Sequence, residues 1–197
     1  SGISHDLRTP LTRLKLQLAM LQQKDISKQM SNDIDEMEKM LNDYLEFAKT
    51  QSQENTTKIN LNDMLNSIKN KFNNDKISIK RNKETVELKA RPTALKRSFE
   101  NIIQNGLTYG KKVFVEVQKS SNRVLIITED DGPGIPEDHY KNVFKPFFRL
   151  DKSRSLNKSG VGLGLAIVED IINSHGGNIQ LNKSKFNGLQ VKISLPF

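Results

Sequence analysis

The chain has 197 residues, with 31 Lys and Arg against 23 Asp and Glu, a formal net charge of +8 and no cysteine. That length allows one or two domains, and the absence of thiols excludes disulfides and cysteine-based metal or redox chemistry. No apolar run approaches the roughly 18 residues of a membrane helix, and the lysines are dispersed without interleaved aromatics, which argues against a nucleic-acid surface.

Residues 1–24 carry Ile3, Leu7, Leu11, Leu14, Leu18 and Leu21 in steps of three and four, an apolar seam at coiled-coil spacing. A break is expected at residues 24–27. Residues 28–52 resume the pattern with Met30, Ile34, Met37, Leu41, Tyr44 and Ala48. Two such helices joined by a short connection form an antiparallel hairpin. A hairpin cannot cover its own seams, so a four-helix bundle built from a homodimer is expected. The polar stretch QSQENTT, residues 51–57, reads as a linker, with the domain boundary between residues 54 and 55.

Beyond it, residues 58–60 read as a short strand. Leu61, Leu65, Ile68 and Phe72 mark a helix, with Asn60 or Asn62 as its cap. Residues 76–80 and 86–90 alternate as strands. Pro92, in the first turn where proline is favoured, opens a helix carrying Leu95, Phe99, Ile102 and Ile103 and ending near Gly110. Residues 112–118 and 123–128 form a strand pair. Residues 161–175 form an apolar helix stopped by Gly176 and Gly177. Residues 178–182 and 189–195 close the chain as strands. Helices and antiparallel strands in this mix predict a two-layer α+β domain over residues 55–197.

Several residues could carry chemistry. His5 falls between the seam positions Ile3 and Leu7, so it should face solvent. A lone exposed His is ordinarily just a surface residue. Here Asp6 can orient or deprotonate the imidazole, and Pro10 inside the helix removes an N–H and crowds a carbonyl. Neutral imidazole is a competent nucleophile toward phosphorus. Asn101 and Asn105 share one helix face. Beside Tyr109 they suit a Mg²⁺–nucleotide site, because Mg²⁺ takes few protein ligands; plain helix-surface amides would look the same. Asp131 begins DGPGIP, where Gly132 and Gly134 permit a tight turn and the carboxylate can accept from an exocyclic amine such as adenine N6. Gly160, Gly162 and Gly164 alternate just before a helix whose N-terminal N–H groups favour phosphate. Arg149 and Arg154 lie between the two glycine loops and fit either a terminal phosphate or solvent. Phe144, Phe147 and Phe148 read as packing.

In order and spacing, SHDLRTPLTRL, NIIQNGLTYG, DDGPGIP, FKPFFR and GVGLGLA resemble the H, N, G1, F and G2 boxes of two-component sensor histidine kinases. The H box is most similar to the osmosensor (EnvZ-like) subgroup. The resemblance runs from Ser4 to the C-terminus. It implies a dimerisation and histidine-phosphotransfer hairpin over residues 1–54, forming a dimeric four-helix bundle. An ATP-binding α+β two-layer sandwich of the Bergerat (GHKL) type would follow over residues 55–197. ATP and Mg²⁺ are the implied cofactors. His5 would be phosphorylated with help from Asp6, and Thr9 would position water for phosphatase action on the partner. Asn105 would hold Mg²⁺ with Asn101 contributing, and Asp131 would bind adenine. Gly132, Gly134, Ile135, Gly160, Gly162, Leu163 and Gly164 would shape the pocket and its lid. Tyr109 would lie beside the nucleotide and Arg149 near the γ-phosphate.

The implied partners are a second copy of the chain and the receiver domain of a response regulator, whose Asp takes the phosphoryl group; nucleic acid is not among them. Two positions depart from the family pattern. Thr108 stands where Lys or Arg is usual, with Lys111 or Lys112 as the available substitute, and Val161 replaces a usual Thr or Ser. Both changes weaken the expected grip on phosphate. The chain starts four residues before His5. The expectation is therefore a cytoplasmic region of a longer, inner-membrane-anchored bacterial protein whose sensor and membrane parts precede it. Three rivals remain, one of them a dimeric interaction module or basic nucleic-acid binder with no catalysis, which salt-sensitive DNA binding without ATP binding would favour. A GHKL ATPase of chaperone or repair type is opposed by the H box and hairpin. A protein that chiefly dephosphorylates its regulator is favoured by Thr108 and Val161.

Overall fold

The computed structural model describes residues 2–20, 26–28, 30–35, 37–38, 41–42, 54–72, 75–80, 84–150 and 162–197, with side chains from residue 11 onward. They form two compact units, Ser1–Ser52 and Gln53–Phe197.

The first unit is helical. Gly2–Ala19 is one helix that includes Pro10, and helix resumes over residues 26–28, 30–35, 37–38 and 41–42. Ile26 and Ser27, expected in the break, are thus already helical. The Ser27 hydroxyl donates to the carbonyl of Leu18 at 2.6 Å, satisfying an acceptor that the end of the first helix leaves open. The Lys15 ammonium sits 2.7 Å from Asp35 and 2.5 Å from Glu38. These contacts run the two arms antiparallel. Leu18 and Ile34 are buried between them, but the seam residues Leu14 and Met30, both 46% exposed, and Met37 are uncovered in the single chain.

The second unit runs β1 (Thr57–Asn60), a helix Leu61–Phe72, β2 (Ile77–Lys80), β3 (Glu87–Ala90), a helix Pro92–Tyr109, β4 (Val113–Lys119) and β5 (Arg123–Asp130). A 3₁₀ turn Glu137–His139, a helix Gly164–Ser174, β6 (Asn178–Lys183) and β7 (Leu189–Pro196) complete it. A five-stranded sheet has the order β2-β4-β5-β7-β6, and β1 pairs with β3 in a separate antiparallel ladder. The β2–β4 pair is parallel, so the main sheet is mixed rather than wholly antiparallel as expected. The reason is topological: β3 leaves to join β1, and the Pro92–Tyr109 helix then supplies the crossover that parallel neighbours need.

Strand alternation builds the core. Val113, Val115 and Val117 of β4, Val124 and Ile126 of β5 and Val191, Ile193 and Leu195 of β7 are buried, while their sequence neighbours are more exposed. They cluster with Leu65, Ile68, Leu95, Phe99, Ile103 and Ile172 from the helices. The result is one helical layer on one sheet. Asn60 Oδ1 accepts from the N–H of Asn62 at 3.0 Å and of Asp63 at 3.3 Å, making Asn60 the cap of the Leu61–Phe72 helix. The last helix starts at Gly164 rather than near Val161, because Gly162 has φ +76° and cannot continue helical backbone.

Candidate nucleotide site

The second half of the Pro92–Tyr109 helix places Asn101, Asn105 and Tyr109 at four-residue intervals, hence on one face. Both Asn side chains are partly buried and Tyr109 is exposed. Gly164, the first residue of its helix, lies directly beside Asn105. A β-carbon there would be 3.6 Å from Asn105 Nδ2 and 4.0 Å from Oδ1. An amide oxygen acceptor and a helix N-terminus, with its unsatisfied N–H groups, therefore adjoin. Among the described residues no group of three His, Cys, Asp or Glu side chains could hold a metal. Mg²⁺ fits this setting, since it needs few protein ligands when phosphate oxygens and water complete its shell.

Two adjacent carboxylates behave differently. Asp131 Oδ1 accepts from the backbone N–H of Lys111 at 2.6 Å and of Lys112 at 2.8 Å. The bonds from Lys112 and Lys111 hold this carboxyl below its ordinary range. Asp131 thus ties the turn after the helix to the loop after β5. Asp130 Oδ1 accepts from Gly132 N–H at 2.9 Å and Leu189 N–H at 3.1 Å. Burial pushes its carboxyl up, against the pull of the Gly132 and Leu189 bonds. Its Oδ2 faces Gly106, where a β-carbon would lie 3.8 Å from that oxygen. Gly106 has a clear structural reason, because the same β-carbon would fall 2.6 Å from Val113 Cγ2. Only a bare backbone lets this helix press so closely onto β4.

The remaining loop residues lock together. Gly134 has φ +71°, and a β-carbon there would approach the Gly188 carbonyl at 3.1 Å. Ile135 is partly buried against the core and Leu163 is buried. Gly162 accepts from the Phe147 N–H at 3.0 Å. A β-carbon on Gly162 would be 2.8 Å from the Phe148 carbonyl oxygen. Phe144 and Phe148 pack on the core as expected, but Phe147 is 56% exposed at φ +65°. Its backbone serves Gly162, and that conformation turns its ring outward, which corrects the expectation that all three rings pack.

Thr108 donates its hydroxyl to the Gln104 carbonyl at 2.7 Å and accepts from Gln104 Nε2 at 3.2 Å, so this side chain is engaged within its own helix. The Lys112 side chain is exposed and Arg149 is partly buried. Gly160, Val161 and Arg154 lie outside the described residues. His5, Asp6 and Thr9 lie on the Gly2–Ala19 helix, with positions 5 and 9 on one face; their side chains lie outside the description. A cavity of about 550 Å³, lined by Tyr140, Phe144, Glu169 and Leu181 among others, contains none of the Asn105, Asp130 and Gly164 group.

Sequence reading missed Asp130, and a signal for it existed. Val124, Ile126 and Thr128 are inward positions of β5, and period-two alternation carried on two residues puts Asp130 on the same face, half-buried, although Glu129 between them is buried too. Ending the strand at Thr128 hid that register.

Residues 90–197 match the family model described as histidine kinase-, DNA gyrase B- and HSP90-like ATPase, and residues 1–53 match the His Kinase A (phospho-acceptor) domain. The chain is 34% identical over 197 residues to the sensor histidine kinase GtrS of Pseudomonas aeruginosa, covering all of this chain and 41% of that protein. It is 32% identical over 212 residues to the sensor histidine kinase CpxA of Escherichia coli K12, covering all of this chain and 46% of that protein. The chain therefore spans less than half the length of these curated relatives. Among solved structures, the NMR structure of the histidine kinase domain of the E. coli osmosensor EnvZ is similar with a TM-score of 0.57 and 32% identity, over 74% of this chain and 91% of that one.

Proposed function

Because this chain belongs to the sensor histidine kinase family, with a phospho-acceptor domain followed by an ATPase-type domain, we propose that it phosphorylates His5 from ATP and passes the phosphoryl group to an Asp of a response regulator. The observation that carries the reading is the meeting of Asn105 with Gly164 beside the Asp130–Gly106 contact. An amide ligand, a phosphate-binding helix start and a half-buried carboxylate gather along the second half of the Pro92–Tyr109 helix.

In this proposal adenine N6 donates to Asp130 Oδ2, and Asp131 holds the adjoining turn instead of the base. Gly132, Gly134 and Ile135 shape that wall of the pocket. Asn105, with Asn101 contributing, holds Mg²⁺, which supplies charge neutralisation on the phosphates when bound. Gly160, Gly162, Leu163 and Gly164 bring backbone N–H groups to the phosphates, Tyr109 lies beside the nucleotide, and Lys112 and Arg149 face its charged end. His5 attacks the γ-phosphorus in line. The N–P bond forms as the P–O bond to ADP breaks, and Asp6 accepts the imidazole proton. Phosphoryl transfer of this kind is mostly positioning and charge stabilisation.

The uncovered Leu14, Met30 and Met37 support pairing of the hairpin with a second copy into a four-helix bundle. Thr9 positions water for dephosphorylation of the regulator. No described helix is long and apolar enough to cross a membrane; anchoring of this cytoplasmic region is proposed to come from other parts of a longer sensor protein.

Incubation with γ-labelled ATP and Mg²⁺ should give an acid-labile, base-stable phosphoprotein. His5→Gln should abolish the label and preserve nucleotide binding. A label that persists in that variant removes His5 from the mechanism. A second reading, a chain that mainly dephosphorylates its regulator, is favoured by the engagement of Thr108 with Gln104. Its mark would be faint His5 labelling beside rapid loss of phosphate from a phosphorylated regulator.

A further inference from the structure

The helices Pro92–Tyr109 and Gly164–Ser174 pack together and run in opposite directions. Asn105, near the end of the first, adjoins Gly164 at the start of the second. At the other end of the pair, the Arg91 N–H donates to His175 Nε2 at 3.0 Å, and the Arg91 guanidinium donates to the Ser174 hydroxyl. The candidate nucleotide site thus occupies one end of a two-helix unit. The far end holds a third partner, Glu54.

The Pro92–Tyr109 helix has no cap of its own, because Arg91 at the cap position makes no capping bond. Glu54 takes that role from 39 residues upstream. Its two carboxylate oxygens accept from Thr93 N–H at 2.6 Å and Ala94 N–H at 2.9 Å. An anion at a helix N-terminus is favoured by both the unsatisfied N–H groups and the dipole. Burial pushes the Glu54 carboxyl up, but the Thr93 and Ala94 bonds and the Arg91 charge outweigh it, so the group sits below its ordinary range. His175 is fixed as the Nδ1–H tautomer, donating to the Ile171 carbonyl at 2.7 Å and accepting from Arg91.

We propose that Glu54 is a positioning residue. It latches the chain at residue 54 onto the start of the Pro92–Tyr109 helix, whose far half carries Asn105 and which packs against the helix that begins at Gly164. The proposal rests on the reading of His5 as phosphoacceptor. Its physical basis is reach. With the latch closed, the chain is anchored to the second unit from Glu54 onward; with it open, anchoring begins only at β1, at Thr57, about 10 Å of extended chain further on. In-line transfer tolerates little misplacement, and a slack of that size lowers the fraction of time the γ-phosphate meets the imidazole.

The 197-residue chain provides a clean test, since it contains no cysteine. A nitroxide on Asn55→Cys reports latch closure without reference to activity. It should be immobilised in the parent and become mobile when Glu54→Ala is added. On the unlabelled chain, Glu54→Ala should slow His5 phosphorylation at saturating ATP about fivefold or more while nucleotide affinity stays within about twofold. Glu54→Gln, which keeps one acceptor oxygen, should fall between. A nitroxide equally mobile with and without Glu54 overturns the latch. An immobilised label combined with unchanged phosphorylation in Glu54→Ala overturns the positioning role. A parent chain that binds nucleotide yet never labels His5 overturns the function proposed above, while the nitroxide still decides the latch.

Discussion

A β-carbon on Gly188 would sit 2.1 Å from Asp130 Oδ1 and 2.3 Å from the Asp130 carbonyl oxygen. The start of β7 is therefore laid directly on the carboxylate proposed to face the base, and the neighbouring Leu189 N–H fixes the same oxygen. Gly188→Ala cannot be absorbed by a flexible side chain, since backbone atoms of Asp130 are among the contacts. It should cost about 2–4 kcal/mol of stability, in the range of overpacked sites with a lost buried hydrogen bond. It should also weaken nucleotide binding. Urea unfolding together with titration of a fluorescent ATP analogue measures both; retained affinity would separate Gly188 from the Asp130 wall.

Asp130 and Asp131 make a sharper comparison, because both are acidic and adjacent but serve different groups. Asp130→Asn replaces an oxygen acceptor facing Gly106 by an amide that can donate there, setting donor against donor if adenine N6 is the ligand. Loss of a charge-assisted bond of about 1.5–3 kcal/mol corresponds to roughly 10- to 150-fold in affinity. Asp131→Asn keeps an oxygen able to accept from Lys111 and Lys112, so its effect should stay within about threefold. Calorimetric titration with ADP and Mg²⁺ checks the order. A larger loss in Asp131→Asn would return the base to that residue.

Much of this was legible in the sequence because the elements are periodic. The helix through Leu95, Phe99 and Ile103 and the strands through Val113 and Val191 announce themselves by spacing, and each is buried as the pattern requires. The glycine loops were legible for a similar reason: Gly134 and Gly162 take positive φ that other residues resist. What stayed hidden depends on contacts between distant segments. The Glu54 cap joins residues 39 apart and the Gly188–Asp130 contact joins residues 58 apart, and no local pattern encodes either. The Asp130 register lay between these cases, visible only if alternation in β5 is followed to its end. The parallel β2–β4 pair was missed because the strand that separates them in sequence pairs elsewhere.

His175 gives the fold a pH dependence of definite sign. Burial first, and the Arg91 charge with it, pull the imidazole below its ordinary 6.5, against the Ile171 bond and the Glu54 charge. The unfolded chain therefore binds a proton near pH 6.5 that the folded chain refuses until lower pH. Where the unfolded state holds more protons, stability rises with pH. The contribution is present above about pH 6.5 and is lost as pH falls through the folded value, with a slope of at most about 1.4 kcal/mol per pH unit. His175→Gln should be less stable than the parent near neutrality, and the gap should shrink toward about pH 5. Urea midpoints across that range test it; a constant gap would mean His175 does not titrate differently on folding.

The junction of the two glycine-loop walls can be tested by comparing two glycines with similar backbone and different surroundings. Gly162 has φ +76° and Gly176 has φ +68°, so alanine at either pays the left-handed penalty of about 1–2 kcal/mol. They diverge in what the new methyl meets. At Gly176 the nearest atom is Pro196 Cγ at 3.6 Å, an ordinary contact. At Gly162 the methyl would meet the Phe148 carbonyl oxygen at 2.8 Å and the Phe147 carbonyl carbon at 2.9 Å. Both are backbone atoms, and Phe147 is itself held by its N–H bond to Gly162. Gly162→Ala must therefore part the F-box turn from the loop that leads into Gly164, moving the helix start away from Asn105. Gly176→Ala should lower Tm modestly and leave nucleotide affinity unchanged. Gly162→Ala should reduce affinity about tenfold or more, the equivalent of about 1.4 kcal/mol, with far-UV circular dichroism unaltered because the core lies elsewhere. Equal affinities in the two variants would show that the contact between Phe147 and Gly162 does not shape the nucleotide site.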